Sequence, residues 1–454
     1  MNKIKKIGPP KAKKIPFESN HHNNKLVDQY HWIRDDNWQE VLHSPKVLKK
    51  EIREYIDKEN QWTDSHLSIL SSDKEQIYNE IKGRIKEEDS SLPQKDGSWF
   101  YFSETKRGQE YSILKRYKNK LSINDSKIFH DWNVESKGYD YFKPGGASYS
   151  PDHSLLSWSF DSKGSEFFSI KIKNLENNKS FNDIVNNTDG SMVWSLDGEG
   201  FYFIKMDDNH RPSSLWFHKV NTKEDEDYEI YSEEDKGYFL SISETLNKRF
   251  LILSIHNHET SEVRVIDQKK VIKELKLFTK RRHGIEYSIE HDQENSRFII
   301  LTNINNAVDY KIMETEENSL GHDNWSDFIP HQEGVLITDF SCLKDFIIVQ
   351  ELEDGIPSIS SINKKDNSRN VIKFNEEVYD LDFNEGCEYS SNTIHIYYSS
   401  MTTPQEIYEY DLEEKKKVIL KKQEIPSGHD SSNYITKRVF AESKHLAVCY
   451  QSLG

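Results

Sequence analysis

Seven short apolar segments that recur about every 48 residues, two amphipathic stretches near the N-terminus and the lack of helical periodicity beyond residue 97 predict the fold class. It is mainly β: a seven-bladed β-propeller preceded by an N-terminal helical region.

Residues 1–40 read as irregular and are rich in Lys, Asn and His. Ser44 and Pro45 supply a cap and a first-turn signal, after which Leu48, Ile52, Tyr55 and Ile56 line one helical face. Ser72 with Glu75 has the spacing of a capping box, and Ile77, Ile81 and Ile85 follow at intervals of four. That stripe could dock a partner, but packing within the chain is the expected use.

From about residue 97 to 430 the pattern changes to short strands rich in Phe, Tyr, Ile and Val between clusters of Asp, Asn, Gly and Ser. RFLILS (249–254), RFIILT (297–302), DFIIVQ (345–350) and TIHIYY (393–398) place Phe250, Phe298, Phe346 and Ile394 at successive spacings of 48. GFYFIK (200–205) and SLLSWS (154–159) precede them at spacings of 49 and 46, and SWFYFS (98–103) begins the series. Each unit continues into a third strand, such as SEVRVID (261–267) or EIYEYDL (406–412), and a short Lys-rich outer strand such as KKVIL (416–420). Four strands per unit, repeated seven times, is the arithmetic of a propeller, and one unit cannot bury both of its faces alone. No GH or WD signature marks the units. Length alone suggests about three domains for 454 residues. The repeat changes that to residues 1–85 (extension and two helices), 86–434 (propeller) and 435–454 (a linker).

Composition supports an ordered chain. Hydrophobic residues are only 35%, but aromatics reach 12%, with 23 Tyr, 22 Phe and 9 Trp. The net charge of −16 argues against a nucleic-acid partner and suits cationic ligands. No apolar run approaches the about 20 residues of a membrane span, and MNKIKKIGPPKAKKIPF has basic residues without an apolar core, so no membrane partner and a cytoplasmic location are expected. Cys342, Cys387 and Cys449 are widely spaced and expected to be reduced thiols.

Several catalytic motifs need glycines at fixed offsets, and the 19 glycines exclude them. None are four apart, as G-x-S-x-G requires, and none five apart, as a Walker A loop requires; Gly198 and Gly200 fail G-x-G-x-x-G because Phe203 follows. His256-Asn257-His258 offers two imidazoles on one face of a strand, but no third ligand is evident and a surface strand explains it better. Asp152-His153-Ser154 matches a triad only as letters and reads as a turn. Glu224 to Asp227 and Glu233-Glu234-Asp235 could attract a cation or a basic peptide; solvated outer-edge loops are the expected reading. No catalytic, cofactor-binding or metal-binding residue is assigned, and no cofactor is expected.

Longer strings resemble the prolyl oligopeptidase family of serine peptidases, and within it the oligopeptidase B (protease II) branch. They are Pro9-Pro10-Lys11-Ala12-Lys13, DQYHWIRDD (28–36), YIDKENQWT (55–63), GRIKEEDSSLP (83–93), ETKRGQEYSILKR (104–116) and GGASYSPDHSLLSWSFDSKGSE (145–166). The most specific are YYSSMTTPQEIYEYDL (397–412) and KKQEIPSGHDSSNYITKRVFA (421–441). Together they run almost end to end.

The resemblance implies the propeller that the repeat predicts, followed by an α/β-hydrolase domain that is absent here. The family's Ser, His and Asp triad would lie beyond Gly454, so no catalytic residue is carried over. Likeness holds to Ala441 and fades near Lys444, which suggests a reading-frame disruption; ordinary unrelated DNA in all three downstream frames would contradict that. The family cleaves short peptides after Lys or Arg by serine attack, with the propeller as a lid and size filter. The expected function is thus the lid part of such a peptidase, inactive alone, whose partners are short basic peptides if a hydrolase domain is supplied, as by a separately encoded fragment. A non-catalytic protein-binding propeller and a degenerate relic are the alternatives. Apolar surface that the family packs against its hydrolase, including the helices at 45–85, is expected to be exposed.

Overall fold

The computed structural model, which describes residues 8–442 and 448–453, opens with a hairpin of β1 (Phe17–His21) and β2 (Asn24–Asp28), turned through His22 and Asn23 in the left-handed region. Helices α1 (Trp38–His43), α2 (Lys50–Leu67) and α3 (Ser71–Gly83) follow. Pro45 opens only a 3-10 turn, Pro45–Val47, so α2 starts later than the Ser44-Pro45 signal suggests and Leu48 lies outside it. Ile52 is the buried residue of α2, while Ile56 is exposed. The capping box expected at Ser72 does not form. A second 3-10 turn, Ser68–Leu70, carries α2 into α3 without a break, so Ser72 is already helical and the cap position falls on Leu70, which has no side-chain cap. Ile77, Ile81 and Ile85 do not pack within the chain: they are 55%, 56% and 59% exposed.

The strands then form sheets in chain order. Sheet I holds β3 (Asp89–Ser90), β4 (Gln94–Asp96), β5 (Trp99–Thr105), β6 (Ile113–Lys118) and β7 (Lys127–Asp131), with β3 and β4 both paired to β5. A four-residue helix, α4 (Trp132–Glu135), interrupts a region read as helix-free. Sheet II holds β8 (Lys143–Tyr149), β9 (Leu155–Asp161), β10 (Phe168–Asn174), β11 (Ser180–Trp194), β12 (Gly200–Met206), β13 (Pro212–Lys219) and β14 (Tyr228–Ser232). Sheet III holds β15 (Phe239–Glu244), β16 (Phe250–His256), β17 (Ser261–Asp267) and β18 (Leu275–Leu277). Sheet IV holds β19 (Tyr287–Asp292), β20 (Arg297–Thr302), β21 (Lys311–Glu316) and β22 (Ser326–Ile329). Sheet V holds β23 (Val335–Cys342), β24 (Phe346–Glu353), β25 (Ile356–Asn363) and β26 (Arg369–Ile372). Sheet VI holds β27 (Asp380–Asn384), β28 (Thr393–Ser399), β29 (Glu406–Asp411) and β30 (Lys416–Lys422). A final hairpin-like pair, β31 (Lys437–Glu442) with β32 (Val448–Leu453), ends the described chain; Lys444 and its neighbours, where the likeness is expected to fade, lie outside it.

All seven recurring segments are strands, but they do not make seven blades. Five sheets have blade size, with four or five strands, and sheet II is one continuous sheet of seven. The reason is β11. Its first part pairs with β10 up to Thr188, its last part pairs with β12 from Thr188 to Trp194, and the strand bends between them instead of breaking. Asn187 (φ 57°) and Gly190 (φ 90°) take the left-handed conformation at that bend. A Cβ on Gly190 would also sit 3.0 Å from the Phe168 ring.

The sheets between the two ends of the series bury both faces, so alternate residues of a second strand such as β20 serve two different joints, whereas β28 of sheet VI is buried on alternate residues only. In β20, Phe298 and Ile300 pack with Phe250 and Val263 of sheet III, whereas Ile299 and Leu301 pack with Ile337 and Ile347 of sheet V. This is why the recurring segments of the inner sheets are unbroken apolar runs and do not alternate. Equivalent clusters join sheets I and II (Phe129 with Trp158), II and III (Leu215 with Leu251) and V and VI (Phe346 with Ile394).

Candidate functional site

The first strands of the sheets converge on a central channel. A small cavity of about 80 Å³ is lined at once by Asp96 of β4, Tyr149 of β8, Met192 of β11 and Glu244 of β15, and β19 touches β23. Asp96 is paired with Lys248, whose Nζ is 2.8 Å from Oδ2. Past that pair the lining is acidic. Glu244, Glu290, Asp339 and Glu385 come from the first strands of sheets III to VI or the residue just after, and none of them has an ion-pair partner among the described residues; Asp382, on the face of β27 opposite Leu381 and Phe383, lines a separate opening with Tyr397 and Gln405.

Burial, with like charges nearby, shows in their proton affinities. Burial, reinforced by Glu385 and Asp339, pushes the Glu290 carboxyl up to about 8. Glu244 is pushed up to about 7 by burial, opposed by Lys248 and reinforced by Asp96. Asp339 and Glu385 are also raised, by burial first and then by neighbouring carboxylates. Glu290 still accepts hydrogen bonds from the backbone N–H groups of Leu246 (3.2 Å) and His291 (3.3 Å), which hold its carboxyl in place.

A second opening, of about 670 Å³, lies between sheets I and VI and is lined by Asp89, Tyr101, Phe129, His395, Tyr397 and Lys421, among others. Among the described residues no apolar cluster and no shared strand joins these two sheets. Polar side chains bridge them instead: Lys421 to Asp89 (2.6 Å), Lys86 to Glu424 (2.6 Å), Lys95 to Glu388 (3.3 Å) and Gln94 to Asn384 (3.3 Å).

A model of the "Prolyl oligopeptidase, N-terminal beta-propeller domain" matches residues 9–423. The chain belongs to the prolyl oligopeptidase family. Among curated relatives in the family, it is 27% identical over 451 residues to "Dipeptidyl aminopeptidase BI" of Pseudoxanthomonas mexicana, covering 96% of this chain and 60% of that protein. It is 24% identical over 441 residues to "Protease 2" of Moraxella lacunata, covering 96% and 61%. Among solved structures, oligopeptidase B from Leishmania major superposes with a TM-score of 0.91 at 22% identity, and oligopeptidase B from Trypanosoma brucei with 0.89 at 24%; each covers 98% of this chain and 64% of the other. The chain thus spans about 60% of the length of the curated relatives it matches, and residues 9–423 are the family's propeller portion.

Within this family propeller the motifs singled out in the sequence have structural roles. Ser154 Oγ donates to Asp152 (2.8 Å), while His153, at φ 61° in the turn, points away to Tyr101 Oη (2.8 Å). His256 ends β16 and His258 lies in the following turn, so the two imidazoles do not share a strand face. No group of three or more His, Cys, Asp or Glu among the described residues is arranged to hold a metal ion, and no described helix is long and apolar enough to cross a membrane.

The two acidic runs are not simply solvated loops. Glu224 accepts from Asn186 N (3.2 Å) and Nδ2 (2.9 Å), Asp227 is buried against His218 Nδ1 (2.6 Å), and Glu233 is buried against Arg281 (2.6 Å). These three carboxylates are used inside the fold, while Asp225, Glu226, Glu234 and Asp235 of the same runs are exposed, as solvated loops would be. Cys342 is a free thiol buried beside Lys364 Nζ (3.2 Å), Cys387 is a free thiol near the channel, and the Cys449 side chain lies outside the described atoms. Reasoning from sequence missed the channel carboxylates. A signal existed: an acidic residue falls between six and twelve positions ahead of each of Phe250, Phe298, Phe346 and Ile394.

Proposed function

We propose that this chain is the lid of a serine peptidase that cleaves short peptides after Lys or Arg, and that the 454-residue polypeptide has no turnover by itself. The observation that carries the reading is the family propeller over residues 9–423 with an acidic, unpaired lining along its channel. A ring of packed sheets lying over an active site would admit an extended peptide and reject a folded domain, and so act as a size filter. The lining raises the local concentration of basic peptides, an effect that salt weakens. The names "Protease 2" and "Oligopeptidase B" among the relatives support the peptidase setting.

The test is hydrolysis of a short Arg-containing chromogenic peptide by the purified chain, alone and mixed with a hydrolase domain of the same family. No turnover alone and turnover in the mixture support the reading; turnover by the chain alone contradicts it. A second reading, a non-catalytic binding propeller, draws on the exposed Ile77, Ile81 and Ile85 of the helical region. It predicts capture of a protein partner and no gain of turnover in the mixture.

A further inference from the structure

The carboxylate group at the junction of sheets IV, V and VI has the features of a cation site. Asp339 and Ser341 are two apart on β23 and share a face, and Gln350 of β24 is the direct partner of Asp339, so its side chain lies on that face as well. The face looks toward β27: Gln350 Nε2 donates to the Leu381 carbonyl (3.1 Å), and Glu385 and Asp382 act electrostatically on Asp339 or are acted on by it. Glu290 approaches the same point from β19.

Two neutral groups there have unmet hydrogen-bonding capacity. Ser341, only 3% exposed, turns its Oγ toward the Glu385 carboxyl without closing a well-aligned hydrogen bond, and Gln350 Oε1 is a buried acceptor with no donor. Buried polar atoms are rarely left so. Several unpaired carboxylates and an idle amide oxygen form a set of acceptors that lacks donors.

We propose that Glu290, Asp339 and Glu385, with Gln350 Oε1, bind the guanidinium or ammonium group of a basic residue in a short peptide, holding the peptide inside the propeller channel. This rests on the proposed function for its substrate class, but it assigns the propeller a binding station of its own. A guanidinium suits the group because it offers five N–H donors in a planar fork and carries its charge at every working pH. A bare divalent ion suits it less, since no described group of three ligands is arranged to hold a metal. Binding should tighten as pH rises, because the cation competes with protons for the same carboxylates. The charged and titratable groups facing the site are Glu290, Asp339 and Glu385, with Asp382 and Tyr397 on the other face of the sheet VI strands and, farther along, Glu244, Cys387 and the Asp96–Lys248 pair.

The experiment is calorimetric titration of the 454-residue chain, without any hydrolase domain, with triarginine amide, trilysine amide and triglutamate. The expected result is one site for triarginine, none for triglutamate, and affinity that rises between about pH 6 and about pH 8.5 with release of protons. The Asp339→Asn variant should bind about tenfold more weakly or worse. Asp339 is exposed at the residue level and lies close to Glu385, and removing that repulsion should raise the melting temperature, which shows that the variant is folded. Glu234→Gln, an exposed acid outside the channel, should leave binding unchanged. Equal binding of triarginine and triglutamate, binding unaffected by Asp339→Asn, or saturation by calcium or magnesium with no competition from triarginine would each overturn the proposal. None of these readouts involves turnover, so failure here leaves the lid reading standing, and failure of the mixed peptidase assay leaves this site standing.

Discussion

The joint between sheets III and IV and the seam between sheets I and VI close the same ring by different chemistry. At the joint, Phe250, Val263, Phe278, Tyr287, Phe298 and Ile300 interlock with almost no exposure. At the seam the sheets meet through Lys421, Asp89, Lys86, Glu424, Lys95 and Glu388, all partly exposed, around an opening of about 670 Å³. Apolar burial adds stability in proportion to area, whereas exposed ion pairs contribute little each. The ring is therefore held by its joints, and the seam is where it opens at the lowest free energy.

The largest expected effect is at a joint. Phe298→Ala should lower stability by about 3–5 kcal/mol, measured by denaturant unfolding, because it removes a buried ring that touches both Phe250 and Phe278. A loss comparable to that of a seam variant would erase the distinction between joint and seam.

A smaller effect sharpens how charge is used away from the seam. His218 is buried between Asp227 (2.6 Å) and Asp183 (3.4 Å) inside sheet II; burial lowers its proton affinity, but hydrogen bonds to the two carboxylates outweigh this and raise it above the ordinary value. Its folded value thus lies above its unfolded one, so its contribution is fully present below about pH 6.5 and is lost as pH rises through the folded value. Thermal melts from about pH 6 to about pH 9 should show a downward slope that His218→Gln flattens. An unchanged slope would show that the imidazole does not titrate with folding.

The smallest effect belongs to the seam. Lys421→Ala should change global stability by no more than about 1 kcal/mol, since the ion pair with Asp89 is partly exposed. It should nevertheless speed amide hydrogen exchange in β3–β5 and in β28–β30 and leave β16 and β20 unchanged. Faster exchange spread evenly over all sheets would contradict a seam that opens by itself.

The joints were legible in the sequence and the seam was not. Phe250, Phe298 and Phe346 recur at one spacing because each starts a strand buried on both faces, which needs an unbroken apolar run; Ile394 keeps the spacing, but its strand is buried on alternate residues because the other face borders the seam. The number of sheets was harder to read. Spacing counts strands but not breaks, and whether β11 ends or bends depends on two residues, Asn187 and Gly190, in the left-handed region. The helix signals misled for a related reason: Ser44, Pro45 and Ser72 are sound cap residues, but the 3-10 turns beside them displaced the helix starts. The channel stayed hidden because its carboxylates lie about one repeat apart in sequence, each unremarked among 77 acidic residues until the ring brings them together. The expected exposure of apolar surface at 45–85 is present on α3.

The most direct test of the account is hydrolysis of an Arg-containing chromogenic tripeptide by the 454-residue chain, alone and after addition of a family hydrolase domain. The account predicts no turnover from the chain alone and restored turnover, inhibited by triarginine, in the mixture. Turnover by the chain alone, or a mixture no more active than the hydrolase domain by itself, would contradict it.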